Sequence, residues 1–242
     1  MIFVLSFILF CLLYTVGKKR GIKAFVLFYT SFFLIAVYIL LMKWGINALL
    51  VAFIICIVVS LFNLFGLNGV NTKTKSSFIS IVISLLFISL LTIIVCMPAN
   101  IQGFSTDSIE SIGGFSYEIN YNMNYVLIGA YLVSVIGTMI DTSMSISSAL
   151  WEVHENNPKL TEKELYNSGI NIGKDILCTT INTLYFAMIS FFVGYFLWHH
   201  SESLGLMLNY KSLVQELIKL LICIIGSILI IPVTSFICSK KY

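Results

Sequence analysis

The sequence contains little charge, few prolines and no clustered cysteines. Only 10% of its 242 residues are Asp, Glu, Lys or Arg, and three are proline. Soluble domains carry roughly a quarter charged residues, so the composition excludes a water-soluble fold. The six cysteines stand singly inside apolar stretches without a C-x-x-C spacing. This pattern excludes a disulfide framework and a cysteine-based metal site, and we interpret the cysteines as small packing residues.

Motifs of known catalytic chemistry are also missing. There is no phosphate-binding loop and no Gly-x-Ser-x-Gly turn, and His154-Glu155 is followed by Pro158 where a zinc protease needs its second His. The basic residues form short clusters beside apolar stretches, which is not the pattern of a nucleic-acid surface. We therefore expect no enzyme activity, no cofactor, no metal site and no nucleic-acid partner.

Long apolar runs dominate the rest of the sequence. Apolar residues make up 59% of the chain, and several runs reach about 20 residues, the length that crosses a hydrocarbon core of roughly 30 Å as a helix. No strand-like alternation stands out. The sequence predicts an all-α fold, a polytopic transmembrane helix bundle that forms a single domain over residues 1–242. About seven spans are predicted, near 2–16, 24–42, 46–64, 77–97, 125–150, 176–198 and 214–237.

The positions of the basic residues predict the orientation of these spans. Eleven of the 14 lie in four clusters that follow spans one, three, five and seven: Lys18, Lys19, Arg20, Lys23; Lys73, Lys75; Lys159, Lys163, Lys174; and Lys240, Lys241. The positive-inside rule assigns these clusters to the cytoplasm. The N-terminus is therefore predicted outside and the C-terminus in the cytoplasm, with 98–124 as an external loop.

The predicted cytoplasmic loop 151–175 contains a helix stop and a helix start. Asn156, Asn157 and Pro158 end one helix, and Thr161 with Glu164 forms a T-x-x-E capping box for the next. We expect spans five and six to form a helical hairpin that projects into the cytoplasm.

One acidic residue lies deep inside an apolar span. Asp141 follows the external end of span five at Tyr125 by 16 residues, about 24 Å along a helix. A carboxylate near the membrane centre costs roughly 2.5–3.5 kcal/mol, so it should face the protein interior or a water-filled cavity. Steps of three and four residues place it on one polar stripe with Ser145, Ser148, Glu152 and Glu155. The next helix carries a matching stripe, Ser168, Asn171, Asp175, Cys178 and Asn182.

Two registers allow these stripes to face each other. In the first, Asp141 lies beside Asn182 with Thr179 one turn away, and the two sites are equally deep in their spans. In the second, which is one heptad shorter, Asp141 faces Asp175. Two like charges in low dielectric are disfavoured unless they share a proton. The sequence favours the first register.

The stripe has two interpretations. In the structural one, hydroxyl and amide groups join neighbouring spans by hydrogen bonds worth about 0.6 kcal/mol per pair. In the functional one, Asp141 with Asn182 and Thr179 forms a proton or cation site. We favour the functional one, because an Asn at position 141 would give similar hydrogen bonds at a lower desolvation cost.

The segment 137–189, GTMIDTSMSISSALWEVHENNPKLTEKELYNSGINIGKDILCTTINTLYFAMI, resembles the YibE/F-like family of bacterial integral membrane proteins. Flanking segments agree, namely GKKRGIK, PANIQGFS and the closing GSILIIPVTSFI, so the resemblance covers nearly the whole chain. It implies a multi-pass protein of the bacterial inner membrane. Because short members of the family occur beside longer relatives, it also implies a longer YibE/F-like subunit as a hetero-oligomeric partner.

The last three spans also resemble, more faintly, the SecD and SecF branch of the resistance-nodulation-division superfamily. The similarity is in an Asp after Ile-Gly in the inner half of the membrane, a return helix rich in Thr and Asn, and the closing GSILIIPVTSFI. That resemblance implies the use of proton flow. The sequence therefore predicts a transporter-like subunit with Asp141 as its ion site. The alternative is a non-transporting membrane scaffold whose polar stripe only fixes helix packing.

Overall fold

The computed structural model describes residues 1–99 and 122–242, and these residues contain seven helices and no strand. The helices are α1 (Ile2–Lys43), α2 (Ala48–Asn68), α3 (Thr72–Ala99), α4 (Met123–Asn156), α5 (Glu162–Trp198), α6 (Leu204–Leu208) and α7 (Lys211–Lys241). All but α6 are long and apolar enough to cross a membrane. The all-α fold is confirmed. Most of the predicted external loop 98–124 lies outside the described residues.

Helix α1 consists of two arms joined by a sharp reversal. Lys18 has φ 45° and ψ −124°, outside helical geometry. The ring centroids of Phe10 and Phe25 are 5.0 Å apart, whereas a straight helix would separate these residues by about 22 Å. The arms, 2–17 and 19–43, therefore lie antiparallel. Gly21 allows the close approach, because a Cβ there would lie 1.8 Å from the carbonyl oxygen of Leu13.

The reversal falls between the first two predicted spans. The described residues contain six membrane-length helices, and α1 is counted as one of them. The chain reaches the predicted number of about seven spans only if each arm of α1 crosses the membrane separately.

Helices α4 and α7 form the centre of the bundle. Helices α2, α3 and α5 pack on α4, helices α3, α4 and α5 pack on α7, and α1 packs on α2. The core between them is apolar and closed to solvent, with Leu85 of α3, Leu132 and Met139 of α4 and Ile230 of α7 fully buried. Helices α3 and α7 bury one face of α4, and helices α2 and α1 lie on its opposite side.

Small hydroxyl residues line the contact of α3 with α4. Ser77 Oγ donates to the carbonyl oxygen of Ser143 at 3.2 Å, and Ser147 Oγ donates to that of Lys73 at 2.9 Å. All three serines are buried. Small side chains let helix backbones approach closely, and their hydroxyls then find backbone acceptors across the contact. The α3–α4 contact is therefore close and internally hydrogen-bonded.

The turn between α4 and α5 follows the predicted capping box. Glu164 Oε2 accepts from the backbone N–H of Thr161 at 2.8 Å, and Thr161 Oγ1 accepts from the backbone N–H of Glu164 at 3.4 Å. The two helices have 34 and 37 residues, so they are about 51 and 55 Å long, well beyond a hydrocarbon thickness of roughly 30 Å. Their joined ends extend beyond the predicted spans as a helical hairpin.

The predicted basic clusters lie at one end of the bundle. Lys73 Nζ lies 5.6 Å from the ring centroid of Trp151, and the ring of Tyr242 meets the same indole edge-on at 5.1 Å. Arg20 lines the same pocket as Lys73. The reversal of α1, the α2–α3 turn, the C-terminal part of α4 and the C-terminus therefore meet. That this end faces the cytoplasm stays a prediction of the charge rule.

Candidate functional site

Asp141 lies near the middle of α4, at the edge of a groove between α4, α2 and the second arm of α1. The groove has a volume of about 270 Å³, and most of its lining is apolar. Its polar lining consists of Ser31 from α1, Asn63 and Cys56 from α2, and Asp141. Asp141 is exposed at the open side of this groove in the isolated chain. The sequence predicted that it faces the protein interior or a water-filled cavity.

Gly137 opens the groove beside the carboxylate. It lies one helical turn before Asp141 and lines the same groove. Among the described residues, no atom outside this stretch of helix lies within 4 Å of the position that a Cβ would take there. The space next to Asp141 is therefore large enough for a small ligand and is not filled by the neighbouring helices.

The polar groups across the groove present oxygen acceptors. Asn63 Nδ2 donates to the carbonyl oxygen of Val59 at 2.9 Å and to Ser31 Oγ at 3.4 Å. Ser31 Oγ in turn donates to the carbonyl oxygen of Leu27 at 3.0 Å. With these hydrogens engaged, the acceptors left for a ligand are the amide oxygen of Asn63, a lone pair of Ser31 and the Asp141 carboxylate.

No basic side chain neutralises Asp141 in the described part of the chain. Within residues 1–99 and 122–242, the one ion pair at 4.0 Å or less joins Glu216 and Lys219, one turn apart on α7. The same residues contain no group of three or more His, Cys, Asp and Glu close enough to share a metal ion. A single carboxylate with neutral oxygen partners suits a proton or a hard monovalent cation better than a transition metal.

The structure places the two predicted polar stripes differently from the sequence prediction. On α4 the exposed members are Asp141, Ser145, Glu152 and Glu155, and the half-buried member is Ser148. On α5 the exposed members are Asn171, Asp175, Cys178 and Asn182, and the half-buried member is Ser168; Thr179, next to the stripe, is also exposed. The expectation that the stripes pack against each other is corrected by this exposure.

Two glycines explain why α5 packs on the bundle through a face other than its polar stripe. A Cβ at Gly173 would lie 2.3 Å from Ile231 Cγ2 of α7, and one at Gly169 would lie 2.6 Å from Ser235 Oγ and 2.9 Å from Leu150 Cδ1. The glycine face of α5 is therefore its contact face, and α7 is its main partner.

Asp141 points away from that contact. It precedes Leu150 by nine residues, about two and a half helical turns, so the two side chains leave α4 on opposite sides. The groove that Asp141 lines includes neither Asn182 nor Asp175, and neither predicted register joins them there. Its role as an ion site stays a prediction, now with Asn63 and Ser31 as the polar groups in its groove.

The hydroxyl groups of the α5 stripe bond within their own helix. Thr179 Oγ1 donates to the carbonyl oxygen of Ile176 at 2.8 Å, and Ser168 Oγ donates to that of Glu164 at 2.9 Å. Ser and Thr in helices commonly use this bond to the preceding turn, so the pattern alone could not show that they join neighbouring spans. The sequence reasoning missed Asn63, although an amide inside the apolar run VVSLFNLFG was the available signal.

Taken together, a helical bundle with six membrane-length apolar helices defines a multi-pass membrane protein. The family model described as YibE/F-like protein matches residues 5–242, and the chain belongs to the YibE/F-like family. No curated protein matches the chain, and no solved structure matches it.

Proposed function

We propose that this chain is a transporter-like permease subunit of the bacterial inner membrane and has no enzymatic activity. Asp141 binds and releases a proton or a small cation during its cycle. The observation that carries the proposal is the groove of about 270 Å³, in which a carboxylate, an amide oxygen and a hydroxyl share one apolar cleft.

The cost of the carboxylate supports this role. An Asp at the centre of a membrane helix costs roughly 2.5–3.5 kcal/mol, and an uncharged residue would pack there more cheaply. No hydrogen bond or ion pair that the structure describes requires a charge at position 141. Ion binding gives the charge a function that packing does not.

The exposed polar face of α5 supports a partner subunit. Asn182, Thr179 and Cys178 lie on membrane-spanning residues of α5 and are exposed in the isolated chain. Polar side chains in a bilayer normally face protein or water rather than lipid. A longer YibE/F-like subunit that packs against this face completes the proposed transporter as a hetero-oligomer.

A second candidate function is a non-transporting scaffold or assembly subunit. The buried hydroxyls of the α3–α4 contact favour it, because Ser77 and Ser147 use their hydrogen bonds entirely for packing between helices. In that case Asp141 contributes nothing that Asn could not.

The substitution Asp141→Asn separates the two functions. The variant and the wild type are reconstituted into proteoliposomes with any co-purifying subunit, and proton flux is measured with a pH-sensitive dye, followed by Na⁺ and K⁺ flux. A transporter should lose flux in Asp141→Asn while the protein accumulates normally. Glu162→Gln is the matched control, since it neutralises an exposed carboxylate at the start of α5, outside both the groove and the polar face proposed to meet a partner, and should leave flux unchanged.

A steric variant tests the groove without changing charge. Gly137→Leu places a side chain in the open space beside Asp141 and should also abolish flux. Wild-type protein that conducts none of the three ions, together with full function of the gene carrying Asp141→Asn, would favour the scaffold.

A further inference from the structure

A second pocket, separate from the Asp141 groove, lies at the end of the bundle where the basic clusters meet. It has a volume of about 610 Å³ and is walled by the reversal of α1, the α2–α3 turn, the start of α3 and the inner part of α4. Three basic side chains line it: Arg20, Lys73 and Lys75. It shares no lining residue with the groove, so a ligand of this pocket is independent of ion binding at Asp141.

The pocket is positively charged and uncompensated. Its described lining contains no Asp or Glu, and the other polar side chains are Asn68, Asn71, Thr72, Thr74 and Ser148. In the ranges that the structure describes, no carboxylate lies within 4.0 Å of Arg20, Lys73 or Lys75. Three cations around one cavity lower the energy of an anion that enters it.

The lysines are held on a fixed backbone. Thr74 is fully buried, and its Oγ1 accepts from the backbone N–H of Asn71 at 2.9 Å and donates to the carbonyl oxygen of Gly69 at 3.0 Å. Ser147 Oγ of α4 donates to the carbonyl oxygen of Lys73 at 2.9 Å. The α2–α3 turn is thereby tied to α4, and binding an anion requires little reordering of the backbone.

Lys73 is also positioned by an aromatic ring. Its side chain is half-buried, and Nζ lies 5.6 Å from the ring centroid of Trp151, within the range of a cation–π contact. Arg20 approaches from the reversal of α1, where a guanidinium can bind two oxygens of one ligand at once. The cavity therefore offers one forked and two point-like cationic donors.

We propose that this pocket binds a phosphate group, supplied by the headgroup of an anionic phospholipid. The tetrahedral oxygens of a phosphate match a guanidinium, two ammonium groups and neighbouring amide and hydroxyl donors. The location favours a lipid, because the pocket lies where α2 ends and α3 begins, at the predicted cytoplasmic edge of the bilayer. Basic pockets between membrane helices at this level commonly hold lipid headgroups.

The test compares two triple variants with the same change in charge. Arg20, Lys73 and Lys75 are replaced by Gln in one, and Lys19, Lys23 and Lys159 are replaced by Gln in the other. The control residues are exposed basic residues at the same end of the bundle and do not line the pocket. Binding of short-chain phosphatidylglycerol to delipidated protein is followed by its shift of the unfolding temperature, with diacylglycerol as the ligand that lacks phosphate.

We expect the pocket variant to bind phosphatidylglycerol at least about tenfold more weakly than wild type, since the loss of a single hydrogen bond between a charged donor and the phosphate already weakens binding by about tenfold or more. The affinity of the control variant for phosphatidylglycerol should change by less than threefold. Diacylglycerol should shift the unfolding temperature of all three proteins equally. Equal losses in both triple variants would overturn the site, since they would show general attraction to anionic lipid.

Inorganic phosphate identifies the source of the ligand. Inorganic phosphate could raise the unfolding temperature of wild type but not of the pocket variant, while phosphatidylglycerol raises the unfolding temperature of neither protein. In that case the phosphate site stands and the lipid source is wrong. If the triple variant does not fold, Lys75→Gln alone is tested instead. Lys75 is exposed, so its replacement should leave the turn intact. It should weaken lipid binding by about tenfold, the loss of one charge-assisted hydrogen bond, and unchanged binding in this variant would also contradict the proposal.

Discussion

The glycine contact between α5 and α7 predicts that one added methyl group destabilises the bundle. Gly173 is buried, and a Cβ there would lie 2.3 Å from Ile231 Cγ2, 3.2 Å from its Cγ1 and 3.3 Å from its Cβ. Ile231 is β-branched and 5% exposed, so its side chain has little freedom to withdraw. Gly173→Ala therefore forces the two helices apart.

The size of the effect is set by two opposing contributions. Overpacking a close contact costs about 1–3 kcal/mol, and replacing Gly by Ala inside a helix stabilises by about 0.8–1.0 kcal/mol. Gly194→Ala on the same helix isolates the second contribution, because no described atom outside its own stretch of helix lies within 4 Å of its Cβ position. The difference between the two variants is then the overpacking alone, about 1–3 kcal/mol.

Thermal unfolding in detergent, followed by loss of the monodisperse species, measures this difference. For a chain of this size, 1 kcal/mol corresponds to about 2–4 °C in Tm. We expect Gly173→Ala to melt at least about 2 °C below Gly194→Ala. Adding Ile231→Ala to Gly173→Ala removes the clashing methyl groups and should cost less than the sum of the two single changes. A Gly173→Ala protein as stable as Gly194→Ala would refute the described contact.

Two further predictions concern the α4–α5 turn and the orientation of the chain. Thr161→Ala removes the cap of α5 and should destabilise the protein by about 1 kcal/mol in thermal unfolding at neutral pH. The backbone and hydroxyl hydrogen bonds from Thr161 lower the pKa of Glu164, which lies outside the predicted span 176–198. A lowered pKa in the folded state gives stability that is present above the ordinary pKa of Glu and is lost as the pH falls through the folded value. Wild type should therefore lose more stability between neutral pH and about pH 3 than Glu164→Gln does, because Gln at position 164 does not titrate, and parallel losses would contradict this contribution of Glu164. For orientation, single cysteines at His200 and Lys163 in a background without the native cysteines should label differently with an impermeant reagent. His200→Cys should react in intact cells and Lys163→Cys only after lysis, and the reverse pattern would invert the predicted topology.

The features that the sequence determined are local ones. The start of α5 follows from Thr161 and Glu164, whose side chains satisfy each other's backbone groups within four residues of chain. The membrane-length helices follow from apolar runs, because each helix satisfies its own backbone hydrogen bonds in lipid whatever surrounds it. Gly169 and Gly173 are four residues apart, a local spacing that permits close helix approach but does not name the partner helix.

Only the tertiary structure decided which helix meets which face. Spacing by three and four residues shows that Asp141, Ser145 and Ser148 share a face of α4, but it does not say what lies opposite. Consecutive helices are not obliged to pack along their most polar faces: α5 makes its close contact with Ile231 of α7 through glycine, where there is no side chain to hold the backbones apart. That contact leaves Asp141 beside a groove that also contains Asn63, a residue 78 positions earlier in the chain, because the approach of distant segments depends on the packing of the whole bundle and not on local spacing.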